Sequence, residues 1–223
     1  MGAIHLWVFD ISPSAPLLTA LSPADEARAA SLVHPQDQHR YARSRAALRW
    51  VLADHTGCPP LELPLWVDDR GKPHLPADMA SPFNLSHSGD VAVVAVGSHR
   101  PVGVDVETCS QQAGMLDLVE QFMSLAEQDQ VKGLPTMQAT TSCLRAWTRK
   151  EAVLKALGTG LSHDARRVEV GLSAAPMFWL ADDIRHGKHV CVQSIETPEG
   201  LVAVAEVHEG PHTDMPHILI RRP

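Results

Sequence analysis

The chain has 223 residues, with 26 acidic and 19 Lys or Arg side chains, a formal charge of −7 with its 13 histidines neutral, and 44% hydrophobic residues. That composition belongs to a globular protein with a sizeable core and excludes disordered, collagen-like and coiled-coil classes. No apolar run approaches the roughly 20 residues of a membrane span, the start MGAIHLWVFD lacks the pattern of a signal peptide, and the net negative charge argues against nucleic acid; a cytoplasmic protein with no membrane partner is expected.

Taken in order, HLWVF reads as a first strand. Ser22-Pro23-Ala24-Asp25-Glu26 starts a helix, with Ser22 as cap, Pro23 in the first turn and acids at the positive end of the dipole. A second helix, from Gln36 to Thr56, keeps Tyr41, Leu48 and Leu52 near one face and stops at Gly57 ahead of Pro59-Pro60. Arg28, Arg40, Arg43, Arg45 and Arg49 suit either an anion site or a solvated helix face, and composition favours the solvated face. LPLWVDD is a predicted strand, followed by a turn at Arg70-Gly71-Lys72-Pro73. VAVVAVG and PVGVDVE, separated by Ser98-His99-Arg100, carry the signal for an antiparallel hairpin.

Beyond residue 109 the stretches Met115 to Asp129 and Ser142 to Leu157 are helical in pattern, the second closed by Gly158 in a left-handed cap. Three strand-like runs follow, RRVEVGL, HVCVQSI and LVAVAEVH, the last two joined by Thr197-Pro198-Glu199-Gly200. The final EGPHTDMPHILIRRP carries no assignable pattern. A helix-rich segment followed by strands occurs twice without sequence repetition, so the expectation is an α+β fold of two closely packed lobes, residues 1–109 and 110–223. Cys58, Cys109, Cys143 and Cys191 are far apart with no CxxC pairing, which suggests neither a zinc site nor a disulfide framework, only buried or incidental thiols.

Three segments could carry chemistry. Asp105 and Glu107 project from one face of a predicted strand while Val104 and Val106 take the other; the pair is either a polar edge open to water or a place for Mg²⁺, which would keep both carboxylates ionised. In Trp147-Thr148-Arg149-Lys150-Glu151-Ala152-Val153-Leu154-Lys155, Glu151 and Lys155 are helical neighbours, an ordinary surface pair except that Trp147 makes the same face partly apolar. Phe83-Asn84-Leu85-Ser86-His87-Ser88-Gly89-Asp90 reads as a polar turn, or as Ser86 and His87 offering donors to an anion. A Ser/His/Asp hydrolase fits poorly because no GxSxG elbow occurs, and Gly158-Thr159-Gly160 is a helix stop and not a phosphate loop.

Together FNLSHSGD (83–90), GVDVE (103–107) and WTRKEAVLKALGTGL (147–161), supported by RGKP (70–73) and FMSLAE (122–127), resemble the 4′-phosphopantetheinyl transferases in their larger, surfactin-synthetase-activating form. The resemblance, over about residues 20 to 207, implies a monomer of two α+β lobes with antiparallel sheets, related by a pseudo-twofold axis, and coenzyme A in the cleft between them. It implies Mg²⁺-dependent transfer of the phosphopantetheine arm of coenzyme A to a serine of an apo acyl or peptidyl carrier protein, with release of adenosine 3′,5′-bisphosphate. By position it makes Asp105, Glu107 and Glu151 the metal ligands and Glu151 and Lys155 catalytic, with Glu151 or a metal-held water as base. It also places Arg40, Lys72, Ser86, His87, Lys150 and Lys155 at the coenzyme. Asp25 and Glu26 stand where the family has basic residues for the coenzyme's 3′-phosphate, for which Arg43 or Arg45 could compensate. Two other functions fit less of the motif set: a non-catalytic module binding coenzyme A or carrier protein, and a Mg²⁺-dependent pyrophosphate hydrolase.

Overall fold

VAVVAV supplies a strand buried at all its positions, and such a strand needs neighbours on both edges and cover on both faces. In the computed structural model, which describes residues 2–16, 19–79, 81–108, 114–180, 187–211 and 214–223, it is β5 (Val91–Val96). β1 (Ile4–Asp10) and β4 (Phe83–Ser88) flank it antiparallel, and β10 (Ile218–Arg221) adds to β1 in parallel, giving the order β10-β1-β5-β4. A second sheet is antiparallel throughout: β6 (Val102–Glu107), β9 (Gly200–His208), β8 (His189–Thr197) and β7 (Met177–Leu180).

The two sheets share a core in which Ile4, Leu6, Val8, Val93 and Ala95 meet Val102, Val104, Val106, Val202 and Val204. α2 (Pro35–Thr56) covers the outer face of the first sheet with Ala47, Leu48, Val51 and Leu52, and α5 (Thr136–Leu157) covers the outer face of the second with Ala152, Val153 and Ala156. The result is an α+β fold of four layers, helix, sheet, sheet, helix. Gly103 sets the spacing of one of these contacts. A Cβ there would lie 2.0 Å from the carbonyl oxygen of Ala152 and 2.4 Å from the nitrogen of Ala156, so only glycine lets α5 lie directly on β6. Among the described residues no helix is long and apolar enough to cross a membrane.

Both long helices end as expected, at Gly57 and Gly158 in left-handed caps, and Ser22 caps α1 (Pro23–Ala30). Elsewhere tertiary contacts override local pattern. The expected β5–β6 hairpin does not form, because β1 and β4 already occupy both edges of β5; the chain crosses at 97–101 to the facing sheet, where β6 pairs with β9. The final segment, unassignable from pattern, returns β10 to β1. The expected division at residue 109 falls outside the described residues, and each half lends an edge strand to the other's sheet. RRVEVGL is not a strand: Val168 and Val170 are buried, but the carbonyls of Val168, Val170 and Leu172 accept hydrogen bonds from Lys150, Arg149 and Arg145 instead of a ladder. The helix expected over 115–129 breaks at Met123 into α3 (Val119–Phe122) and α4 (Leu125–Lys132), because Ser124 and Glu127 form a capping box. LPLWVDD shortens to β2 (Trp66–Val67), which pairs with β3 (Pro73–His74), while FNLSHS is a strand and not a turn.

The arginine-rich face of α2 is also not solvated. Asp25, buried in the first turn of α1, receives Arg45 Nε at 2.8 Å and Arg49 Nε at 2.6 Å, and Arg43 donates to the carbonyls of Ala15 and Pro16. Burial alone would raise the Asp25 carboxyl pKa, but hydrogen bonds from Arg49 and Ser22 and the charge of Arg45 outweigh it and hold it below the usual value. Stability from a depressed carboxylate is present above its unfolded pKa and is lost as pH falls through the folded one. Asp25→Asn, which leaves two buried guanidinium groups without their carboxylate, should cost about 3–5 kcal/mol at neutral pH. Urea titrations should show that penalty shrinking below about pH 4.

Candidate active site

β6 turns Gly103, Asp105 and Glu107 toward α5, since Val102, Val104 and Val106 fill the core between the sheets. On α5, Trp147, Glu151 and Lys155 recur every four residues and form one stripe. Lys155 Nζ donates to Asp105 Oδ1 at 2.6 Å and to Ser86 Oγ at 3.0 Å, and Ser86 donates to the same carboxylate oxygen at 2.7 Å. Glu107 accepts from Ser88 at 2.8 Å and from the Trp147 indole at 3.1 Å, and that ring packs edge-on against Phe122 with centroids 5.2 Å apart. β4 and β6 thus run side by side, joined by side chains: Asn84 also accepts the Val104 N–H, at 3.0 Å.

Three carboxylates face one ammonium here. Burial raises the pKa of Glu107, with Asp105 adding to the rise. Burial likewise raises Glu151, partly offset by Lys155 and reinforced by Asp105 and Glu107. Two of the carboxylate oxygens, Asp105 Oδ2 and Glu151 Oε1, are buried with no hydrogen-bond partner, a cost a protein rarely tolerates without compensation. An all-oxygen, net-negative donor set with orphaned lone pairs is suited to a hard divalent cation.

The adjoining pocket, of about 250 Å³, is lined by Asp68, Arg70, Lys72, Asn84, Glu151 and Lys155 among others. Its outer wall is the β2–β3 hairpin, whose turn needs Gly71 at φ +82°. Arg70 donates to the carbonyls of Gly158 and Thr159, and Lys72 to that of Lys155, so two cations meet the negative end of α5 and the turn just past it. Burial lowers the Lys72 pKa, and Asp68 opposes that shift.

Asp105, Glu107, Glu151, Lys155 and Ser86 therefore come together, and Lys72 lines the same pocket. His87 is exposed on β4, and desolvation, then Lys155 and Arg40, lower its pKa. Arg40 pairs with Asp90 at 3.2 Å near the β4–β5 turn. Lys150 does not reach the pocket. It is fully buried, paired with Glu127 at 2.8 Å and bonded to the carbonyls of Ala165 and Val168, because its position on α5 turns it into the interior. Arg43 donates to the Ala15 carbonyl and Arg45 to Asp25, away from the pocket. Reasoning from sequence missed Ser88, Asn84, Arg70 and the indole of Trp147 as site-building groups; the alternation of Asn84, Ser86 and Ser88 was the available signal. Between residues 115 and 137, Met115, Phe122 and Met123 are core, whereas Leu118, Leu125, Leu134 and Met137 are exposed.

Two variants separate these roles. Trp147→Phe keeps the edge-on ring contact with Phe122 but removes the donor to Glu107; a hydrogen bond to a charged group of about 1.5–3 kcal/mol implies roughly a tenfold to hundredfold loss in kcat/KM, with little change in Tm. Lys150→Met strands the buried Glu127 and should cost about 3–5 kcal/mol of stability, read by urea titration, while activity per folded molecule stays unchanged, since Lys150 does not line the pocket.

Comparison with known proteins converges on one family. The family described as the 4′-phosphopantetheinyl transferase superfamily matches residues 101–205, and that described as 4′-phosphopantetheinyl transferase, N-terminal, matches residues 12–99. The 4′-phosphopantetheinyl transferase HetI of Nostoc sp. is 32% identical over 177 residues, covering 76% of this chain and 74% of its own. A 4′-phosphopantetheinyl transferase of Bacillus subtilis is 31% identical over 82% of this chain and 74% of its own, and a phosphopantetheinyl transferase of Thraustochytrium sp. is 28% identical over 99% and 85%.

Proposed function

We propose which residues do the work of a 4′-phosphopantetheinyl transferase, the superfamily to which this chain belongs. The chain transfers the phosphopantetheine group of coenzyme A to carrier proteins, and coenzyme A is its substrate. In our reading Asp105, Glu107 and Glu151 hold Mg²⁺, and the pocket beside them takes the coenzyme. The observation that carries this is the pair of buried, unpartnered oxygens on Asp105 and Glu151. When bound, the ion neutralises the pyrophosphate and stabilises the charge gathering on the leaving group. Lys155, held at Asp105 and Ser86, brings a positive charge to the same place, and Lys72 does so from the pocket wall.

The carrier serine's hydroxyl attacks the phosphorus that bears the pantetheine arm, the bond to adenosine 3′,5′-bisphosphate breaks, and that product leaves. Glu151, which lines the pocket, or a water held by the metal accepts the serine proton. Ser88 and Trp147 fix the Glu107 carboxylate while this happens. His87, exposed on β4, and Arg40, paired with Asp90, are read as further contacts to the coenzyme. The two helix-covered sheets are read as pseudo-twofold lobes, interlocked by exchanged edge strands, with the pocket in the cleft between them. The protein is read as a cytoplasmic monomer acting on acyl or peptidyl carriers, which dock on the exposed apolar side chains between Leu118 and Met137.

Intact-mass spectrometry of apo acyl and apo peptidyl carrier proteins, incubated with the protein, coenzyme A and Mg²⁺, tests this. The expected result is a gain of one phosphopantetheine group, matched by adenosine bisphosphate release and abolished by EDTA, by Asp105→Ala and by Glu151→Gln, with circular dichroism unchanged. Full activity in EDTA or in Asp105→Ala would remove the metal assignment. Affinity for coenzyme A without transfer would make the chain a binding module, and product release without carrier a hydrolase.

A further inference from the structure

We propose that Cys191, Glu206 and His208 form a second metal site, one for zinc, on the inner face of the second sheet. Cys191 on β8 is the direct cross-strand partner of Glu206 on β9, and His208 follows two residues later, so all three side chains leave the same face. That is the face carrying Val202 and Val204 into the core between the sheets, whereas Asp105 and Glu107 leave β6 on the other. Along β9 the cluster sits opposite and beyond Val102, at the far end from Glu107, which pairs with Leu201. It shares no residue with the active-site pocket.

The geometry is close to what the ion needs. One ligand atom from each residue lies within 4.8 Å of the others, and all three residues are buried. Cys191 Sγ is 3.2 Å from His208 Nε2, and His208 Nε2 is 3.0 Å from Glu206 Oε2. Tetrahedral zinc, with Zn–S about 2.3 Å and Zn–N or Zn–O about 2.0–2.1 Å, holds its ligand atoms about 3.3–3.6 Å apart, so these two contacts need open by only a few tenths of an ångström. A mixed sulfur, nitrogen and oxygen set selects zinc over Mg²⁺ or Ca²⁺.

Charge agrees with geometry. A thiolate, a carboxylate and a neutral imidazole sum to −2 and are neutralised by one dication. Without it the thiol keeps its proton: burial, then Glu206, pushes its pKa up to about 12. Arg100, on the crossing between the sheets, meets Glu206 Oε2 at 3.5 Å and is itself 44% exposed, so its guanidinium can withdraw to solvent as the ion enters. The step balances as Cys–SH plus Zn²⁺ giving the zinc thiolate and one proton, with Glu206 as second ligand, His208 Nε2 as third and water in the open position. The site would tie β8 and β9 together beneath the 97–101 crossing.

The test uses the full chain with Mg²⁺ in excess, titrated with Zn²⁺ and, separately, with Co²⁺ as a spectroscopic stand-in. One equivalent of Co²⁺ should give a near-ultraviolet thiolate-to-metal charge-transfer band that Cys191→Ser removes and Asp105→Ala leaves in place. His208→Gln should weaken zinc binding by about two orders of magnitude. Arg100→Gln, which removes a competing positive charge, should tighten it roughly tenfold. Transfer activity should be unchanged in Cys191→Ser. No thiolate band in the native protein, or a band that persists in Cys191→Ser, would overturn the proposal and leave the cluster as a hydrogen-bonded ion pair. Should Cys191→Ser misfold, unchanged zinc affinity in folded His208→Gln would overturn it equally. Because the band reads sulfur ligation, its failure is separate from any failure of the active-site assignment.

Discussion

The contact between α5 and β6 at Gly103 is the constraint on which the active site depends. With no Cβ at that position, the helix backbone comes down on the strand, and Glu151 and Lys155 face the carboxylates of Asp105 and Glu107 from a rigid support. A methyl group at Gly103 would collide with backbone, not with the end of a flexible side chain, so no local adjustment could accept it. The hairpin at Gly71 completes the arrangement by closing over the C-terminus of the same helix, where Arg70 donates to the Gly158 carbonyl and Lys72 to that of Lys155.

A second feature is how much charge the fold carries inside. Asp25 with Arg45 and Arg49, and Lys150 with Glu127, are buried pairs whose partners are supplied by other elements, and Arg149 is fully buried among backbone carbonyls. Such groups add little net stability over apolar packing, but each is costly to break and admits one arrangement of the elements around it. Here they position irregular chain: the stretch 165–175 has few ladder hydrogen bonds and is held by Arg145, Arg149 and Lys150 of α5. At the pocket two carboxylate oxygens, Asp105 Oδ2 and Glu151 Oε1, are buried without a hydrogen-bond partner.

Much of the site was legible. Asp105 and Glu107 are two apart on a strand, and Trp147, Glu151 and Lys155 are four apart on a helix, so each pattern placed its side chains on one face before any tertiary structure was known. Helix caps at Ser22, Gly57 and Gly158 were equally readable, since capping is chemistry within a few residues. Lys150 was misplaced because Glu151, next to it in the motif, does face the pocket, and a rotation of one residue on a helix turns a side chain by about 100°. The arginines of α2 were misjudged because composition assigns charge to solvent unless a partner is known, and Asp25 lies some twenty residues away.

By itself the sequence determined what depends on near neighbours: the identity and spacing of the motif residues, the two long helices and their ends, the apolar strands, and the family. Only the tertiary structure decided that β5 and β6 face each other instead of pairing, that β10 returns to β1, that Arg149 and Lys150 are interior, and that Cys191, Glu206 and His208 meet. The physical reason is the same in each case. A strand's edge or a buried charge is satisfied by whichever partner the whole chain brings to it, and local sequence carries no record of that partner.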